Sequence, residues 1–187
     1  MARTVDETKR LILDAAIGEF AARGLSGARV DRIAAASGVN KRMIYVYFEN
    51  KENLFDSVLT ESLSRLVDEA SFDGHDLVAY AGDLFDAFLE DSSIVRLYMW
   101  RALERPQAVA YEHEAYLQKV EQIIQSRGPA EDGDLSGAEI LAFVIALCQS
   151  PVVAAPTLEG IISSNLDPTE RRKHIELAVS RLLGEVA

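Results

Sequence analysis

The segment VDRIAAASGVNKRMIYVYFENKENLF, residues 30–55, decides how this chain is read. Its apolar residues recur at helical spacing in two short runs parted by a Gly-Val step, and a third run starts directly after Asn50. Gly38 permits the positive φ that a tight interhelical turn needs, and Ala34 is small where two helices must cross. Asn40 stands where a side-chain oxygen can cap the next helix. In that helix Ile44 and Phe48 are spaced to face inward against Ile33. Lys41 and Tyr45 then share one outward face, Arg42 and Val46 the next, with Met43 and Tyr47 beyond. A short helix showing basic and aromatic side chains from its N-terminal end suits a major-groove reader of DNA.

Working outward, the helical period continues in both directions and no stretch alternates at period two, so the predicted class is all-α. Thr4 and Glu7 have capping-box spacing and open a first helix carrying Ile12, Ala15, Ala16 and Phe20, with Gly24 as its expected stop. A long fourth helix is expected from Lys51 to about Ala70. Further helices carry Leu77 to Leu89, the run ending before Pro106, and Tyr116 to Ile124 before Gly128-Pro129. Ser136 and Glu139 form a second capping box ahead of the apolar run Ile140 to Cys148. Pro156 to Asn165 reads as a short helix or irregular segment, and Asp167-Pro168 with Glu170 opens the last helix.

The net charge of −11 argues against a nucleic-acid partner until it is divided along the chain. Residues 1–51 carry nine Lys and Arg against six Asp and Glu, while the remainder carries ten against twenty-four. Only the first segment can approach phosphate without strong repulsion. The single cysteine, Cys148, leaves no intrachain disulfide and suits a reducing compartment. The N-terminus lacks the apolar core of a signal peptide, and the most apolar stretch, Ile140 to Ala155, is too short and interrupted to span a bilayer. A cytoplasmic protein without a membrane partner is expected.

The residues of the deciding segment closely resemble the signature of the tetracycline-repressor (TetR) family of bacterial regulators. The matching elements are Ile33-Ala34, Gly38-Val39, Asn40-Lys41, Ile44-Tyr45, Tyr47-Phe48 and Lys51-Glu52-Asn53-Leu54, and the upstream ILDAAIGEFAARGLSG is similar to the family's first helix. The resemblance covers about residues 8–55. It implies an N-terminal three-helix DNA-binding domain over residues 1–50, joined through a long fourth helix to a helical effector-binding and dimerisation domain over 51–187. It further implies an Ω-shaped homodimer that represses transcription from a near-palindromic operator and is released by a small molecule. By the same resemblance Lys51 and its helix start would clamp a phosphate, as helix N-termini readily do. Tyr45 and Tyr47 would touch phosphate or sugar, and Lys41 and Arg42 would reach base edges, with Asn40 contributing as cap or reader. Arg29 stands where the family usually has Thr or Ser, exchanging a neutral phosphate contact for a charged one. Met43 and Val46 also depart from the usual residues, so no operator sequence can be carried over.

The acidic remainder is less legible. Phe85, Phe88, Tyr98, Trp100 and Tyr116 are candidates to line an effector pocket, with Arg101 and Cys148 to orient a ligand, although aromatic stripes at this spacing are more often plain core. The apolar helices of about 136–150 and 167–186 are the expected dimer surface. An enzyme is disfavoured: His75, His113 and His174 lie in unlike contexts without a nearby acid or nucleophile, and no Gly-rich phosphate loop occurs. No Cys/His set has metal-ligand spacing and no cofactor is implied. A helical ligand-binding protein without DNA activity differs from the regulator only in its first fifty-five residues.

Overall fold

Thr4 and Glu7 start the first helix reciprocally. The Glu7 amide donates to Thr4 Oγ1 at 3.2 Å, and the Thr4 amide donates to Glu7 Oε2 at 2.8 Å. The computed structural model describes residues 4–106 and 110–184, and the regular elements among them are helical. In order these are α1 (Val5–Gly27), α2 (Val30–Ser37), α3 (Lys41–Phe48), α4 (Lys51–Glu69), α5 (Leu77–Glu90), α6 (Ser93–Glu104), α7 (Ala110–Arg127), α8 (Gly137–Cys148), α9 (Ser150–Val153), α10 (Pro156–Asn165) and α11 (Pro168–Leu182). The capping boxes at Ser136/Glu139 and Asp167/Glu170 form as spaced, and residues 156–165 are helical. Gly24 breaks α1 at φ 67° and ψ −178°, but the chain resumes a helical turn and stops at Gly27.

The chain packs as two compact units. One holds the chain up to Arg65 together with α6, and the other holds Leu66–Ser92 and the chain from α7 onward. In the first unit, Ile12, Ala16 and Phe20 of α1 bury against Ile33, Ile44, Phe48, Leu54, Phe55, Val58 and Leu97. Phe20 and Phe55 meet edge to face, with ring centroids 5.0 Å apart, and both are fully buried. Each ring stabilises the fold by about 2–3 kcal/mol through burial alone. This core orients α2 and α3, because Ile33, Ile44 and Phe48 are their inward residues.

Helix α6 lies against α1 in that unit. Trp100 covers Gly24, and its indole N–H donates to the Ala21 carbonyl at 3.2 Å. Glu104 accepts from the Leu25 amide at 2.5 Å and the Ser26 amide at 3.1 Å, satisfying donors exposed by the break in α1. Burial pushes the Glu104 carboxyl up, but these donors and the charge of Lys51 hold it below its ordinary value.

In the second unit α5 packs on α11 and α8, and α7 on α8. Leu77, Tyr80, Ala81, Leu84, Phe85 and Phe88 meet Ile140, Leu141, Val144, Cys148, Ile175 and Val179 in its core. Arg172 of α11 ties to Asp83 and Asp86 of α5 and to Glu176 of its own helix. Arg171 forms a two-pronged bond with Glu159 of α10 and lies over the face of Phe85.

Candidate nucleic-acid interface

The turn between α2 and α3 is built from local parts. Gly38 takes the left-handed conformation at φ 65° and ψ 22°. Ser37 Oγ accepts from the Val39 amide at 3.3 Å, and Asn40 Oδ1 accepts from the Arg42 amide at 2.8 Å. With Val39, Ile44 and Phe48 buried, α3 can turn only one face outward. That face carries Lys41, Arg42, Tyr45 and Val46, with Tyr45 41% and Val46 61% exposed. An exposed valine beside an exposed tyrosine on a basic helix offers apolar contact, of the kind a thymine methyl accepts, next to donors for base edges or phosphates.

The remaining site residues divide. Met43 and Tyr47 are half-buried against the core, and the Lys9 ammonium lies 5.9 Å from the Tyr47 ring centroid, so Tyr47 faces α1 while Tyr45 faces outward. Lys51 Nζ donates to the Ala28 carbonyl at 3.2 Å, which brings the start of α4 to the start of α2 and sets Lys51 beside the Ala28–Arg29 step. Arg29 is exposed at the N-cap position of α2, and its amide is held by Glu19 Oε1 at 3.0 Å. Asn50 Oδ1 caps α4 by accepting from the Asn53 amide at 2.7 Å. Lys41 Nζ pairs with Asp31 of α2 at 2.8 Å, and this bond raises its pKa above the ordinary value.

Two organising carboxylates carry no signal in a linear reading. Glu19 accepts from the Arg29 amide, from Arg32 Nε at 2.7 Å, and pairs with Arg23 at 3.5 Å. Arg32 also donates to the Gly27 carbonyl at 2.8 Å, locking the α1–α2 junction. The hydrogen bond from Arg32 is the main reason the Glu19 carboxyl lies below its ordinary value. Asp31 is the second, pairing with Lys41, the first residue of α3.

Comparison with known proteins decides the family. Residues 12–58 match the family model for bacterial regulatory proteins of the tetR family, and residues 76–181 match that of a tetracyclin repressor-like C-terminal domain. The chain belongs to the TetR family. It is 34% identical over 167 residues, 86% of each chain, to the HTH-type transcriptional repressor SCO4008 of Streptomyces coelicolor. It is also 34% identical to an uncharacterized HTH-type transcriptional regulator, YhgD, of Bacillus subtilis, over 74% of this chain and 78% of the relative. Among solved structures, a transcriptional regulator of Streptomyces coelicolor, SCO4942, superimposes with a TM-score of 0.80 at 30% identity, covering 94% of this chain and 97% of its own. This TetR-family protein is a DNA-binding transcriptional regulator with an N-terminal helix-turn-helix domain and a helical C-terminal domain.

The residues singled out for an effector pocket fall in both compact units. Tyr98, Trp100 and Arg101 lie on α6 in the first, where Trp100 covers Gly24 and the buried Arg101 guanidinium lies 5.7 Å from the Tyr98 ring centroid. Phe85, Phe88, Tyr116 and Cys148 lie in the second. Phe85 and Phe88 are buried in its core. Cys148 donates to the Ala81 carbonyl at 3.3 Å, and burial pushes its thiol up to about 12, which leaves it unreactive as a nucleophile. Tyr116 lines an open, largely apolar groove of about 360 Å³ between α7 and α8 with Val120, Ala138, Leu141, Ala142 and Ile145. Among the described residues no group of three His, Cys, Asp or Glu could hold a metal, and no helix is long and apolar enough to cross a membrane.

Proposed function

We propose that this regulator is a ligand-responsive repressor, working in the cytoplasm, that binds a near-palindromic operator as a homodimer and leaves it when a small molecule occupies its C-terminal domain. The observation that carries the DNA half is the outward face of α3, where Lys41, Arg42, Tyr45 and Val46 stand together above a buried Ile44 and Phe48. Lys41 and Arg42 read base edges, Tyr45 contacts the backbone, and Lys51 with Arg29 and the N-termini of α2 and α4 holds phosphates. Asn40 acts first as the cap that fixes α3, and Tyr47 serves at the edge of the contact. DNA reading belongs to residues 1–50, and sensing and dimerisation to residues 51–187.

Dimerisation through about 136–150 and 167–186 is supported by apolar side chains left in water on both helices. Phe143 of α8 is 45% exposed and Leu177 of α11 is 41% exposed. Residues 185 and 186 of that span lie outside the described residues. A two-fold dimer places two readers about 34–36 Å apart, one turn of DNA. Effector binding changes that spacing through α4, which runs from the DNA-side unit into the sensor unit at Leu66, and through α6, which belongs to the DNA-side unit while α5 and α7 on either side of it in the chain belong to the sensor unit. The ligand must favour the DNA-incompetent arrangement for this to release the operator.

The test is a fluorescence-anisotropy titration on DNA from the protein's own promoter region, with unrelated duplex and a salt series as controls. Saturable, selective binding that weakens steeply with salt is expected. Substituting Lys41, Tyr45 and Lys51 together should abolish it, and undiminished binding by that variant refutes the assigned surface. Light scattering at micromolar concentration should report the dimer mass, and a monomer refutes the two-fold reading.

A further inference from the structure

Lys119 of α7 is a largely buried cation that, among the described residues, has no carboxylate counter-ion. Its Nζ donates to Tyr80 Oη at 2.9 Å and lies 5.0 Å from the ring centroid of Phe72 and 4.9 Å from that of Tyr80. The two rings meet edge to face with centroids 4.8 Å apart and form two walls around the ammonium. Among the described residues no carboxylate pairs with it, although the chain carries thirty Asp and Glu and uses many of them to pair its arginines. Burial pushes Lys119 down to about 8, and drives the Tyr80 phenol well above its ordinary range. A phenol and two ring faces compensate an ammonium only in part, so a largely buried lysine without a carboxylate partner among the described residues is costly to the fold.

The cation and the apolar groove are linked through α7. Tyr116 and Val120, which flank Lys119 on α7, line the groove. Tyr116 is also within electrostatic reach of the Tyr80 phenol, as is Cys148 of α8. Opposite them, Leu141, Ala142 and Ile145 of α8 supply aliphatic wall, and the volume of about 360 Å³ fits a small organic molecule. An apolar groove walled by the helix that carries a largely buried ammonium is complementary to one class of molecule, an amphiphile with an apolar body and an anionic head.

We propose that the C-terminal domain binds a small apolar carboxylate, its body in the α7–α8 groove and its carboxylate on Lys119 and Tyr80. The inference rests on the reading of this domain as the effector-binding one and specifies the ligand class. In the complex the carboxylate accepts from the ammonium and the phenol, giving Lys119 an anionic partner. Bases, neutral alcohols and cationic amphiphiles are disfavoured, the last by direct repulsion.

The test uses the full-length protein and three probes of equal chain length, decanoate, decan-1-ol and decylamine, each below its micelle concentration. Binding is followed by calorimetry, and release of operator DNA is scored separately by anisotropy. Wild type should bind decanoate roughly tenfold or more tighter than decanol, in line with one charge-assisted hydrogen bond in a desolvated site. Lys119→Met should lose that preference while keeping decanol affinity, and Lys119→Arg should retain it if the Met variant fails to fold. Decanoate binding without DNA release supports the site and refutes only its role as an effector site. DNA release by decanol or decylamine without decanoate binding overturns the proposal and leaves ligand response standing. Equal decanoate affinity in wild type and the Met variant, or no decanoate binding, as when a second copy of the chain covers the groove, overturns it as well.

Discussion

Replacing Gly24 by alanine tests how α1 is tied to α6. Gly24 sits at φ 67° and ψ −178°, a region that residues with a Cβ essentially never occupy, which costs about 1–3 kcal/mol. A Cβ there would lie 2.6 Å and 2.7 Å from two indole carbons of Trp100. Relieving that overlap requires the ring to move, at about 1–3 kcal/mol for overpacking. The hydrogen bond from the indole to Ala21 weakens with the movement, for roughly 1 kcal/mol more. The total, about 3–7 kcal/mol, is a large part of the stability of an ordinary domain. Urea denaturation of Gly24→Ala, followed by circular dichroism, should show this loss at unchanged slope. Repeating the substitution in a Trp100→Leu background should recover the overlap and hydrogen-bond parts and leave the dihedral part, a coupling of about 2–4 kcal/mol. A loss below about 1 kcal/mol, or the same loss in both backgrounds, refutes the reasoning.

Other consequences concern charge. Asp31→Asn frees Lys41 and removes a negative group beside the proposed DNA-contact face, so operator affinity should rise up to about tenfold with a steeper salt dependence; weaker binding in the anisotropy titration refutes this. Glu19 titrates below its ordinary value of 4.5 in the folded protein, so the stability it contributes is present above that pH and is lost as pH falls through the lowered value. Glu19→Gln should therefore flatten the acid limb of the stability-against-pH curve, and an unchanged limb in denaturant melts between pH 3 and 5 sinks the assignment. Phe143→Glu should shift the light-scattering mass from dimer toward monomer, and an unaltered dimer moves the interface away from α8.

The helix-turn-helix was legible because each of its parts is local. Asn40 caps the residue two places on, Gly38 sets its own dihedral, and Ile44 and Phe48 reach the core by helical spacing alone. Tyr47 shows where the local argument weakens. Periodicity sets it outside the inward pair, but its ring lies under Lys9, a contact spanning thirty-eight positions. The sensor half was harder, since an aromatic stripe announces burial without saying against what. Trp100 was as good a pocket candidate as Tyr116 on sequence, yet one covers Gly24 and the other lines a groove. Lys119 carried no signal, because a single lysine on an amphipathic helix reads as surface.

From the sequence alone follow the helices, their capping boxes at Thr4, Ser136 and Asp167, the recognition motif and the family, all interactions of residues within a few positions of one another. Tertiary structure decided that α6 packs on α1, that Glu104 satisfies amides seventy-eight and seventy-nine residues away, that Glu19 locks the α1–α2 junction, and that Lys119 lies between Phe72 and Tyr80. The physical reason is common to these cases. Helical periodicity fixes which side of a helix is apolar, whereas the partner of that side, and the lone charge enclosed with it, depend on how whole helices fit together.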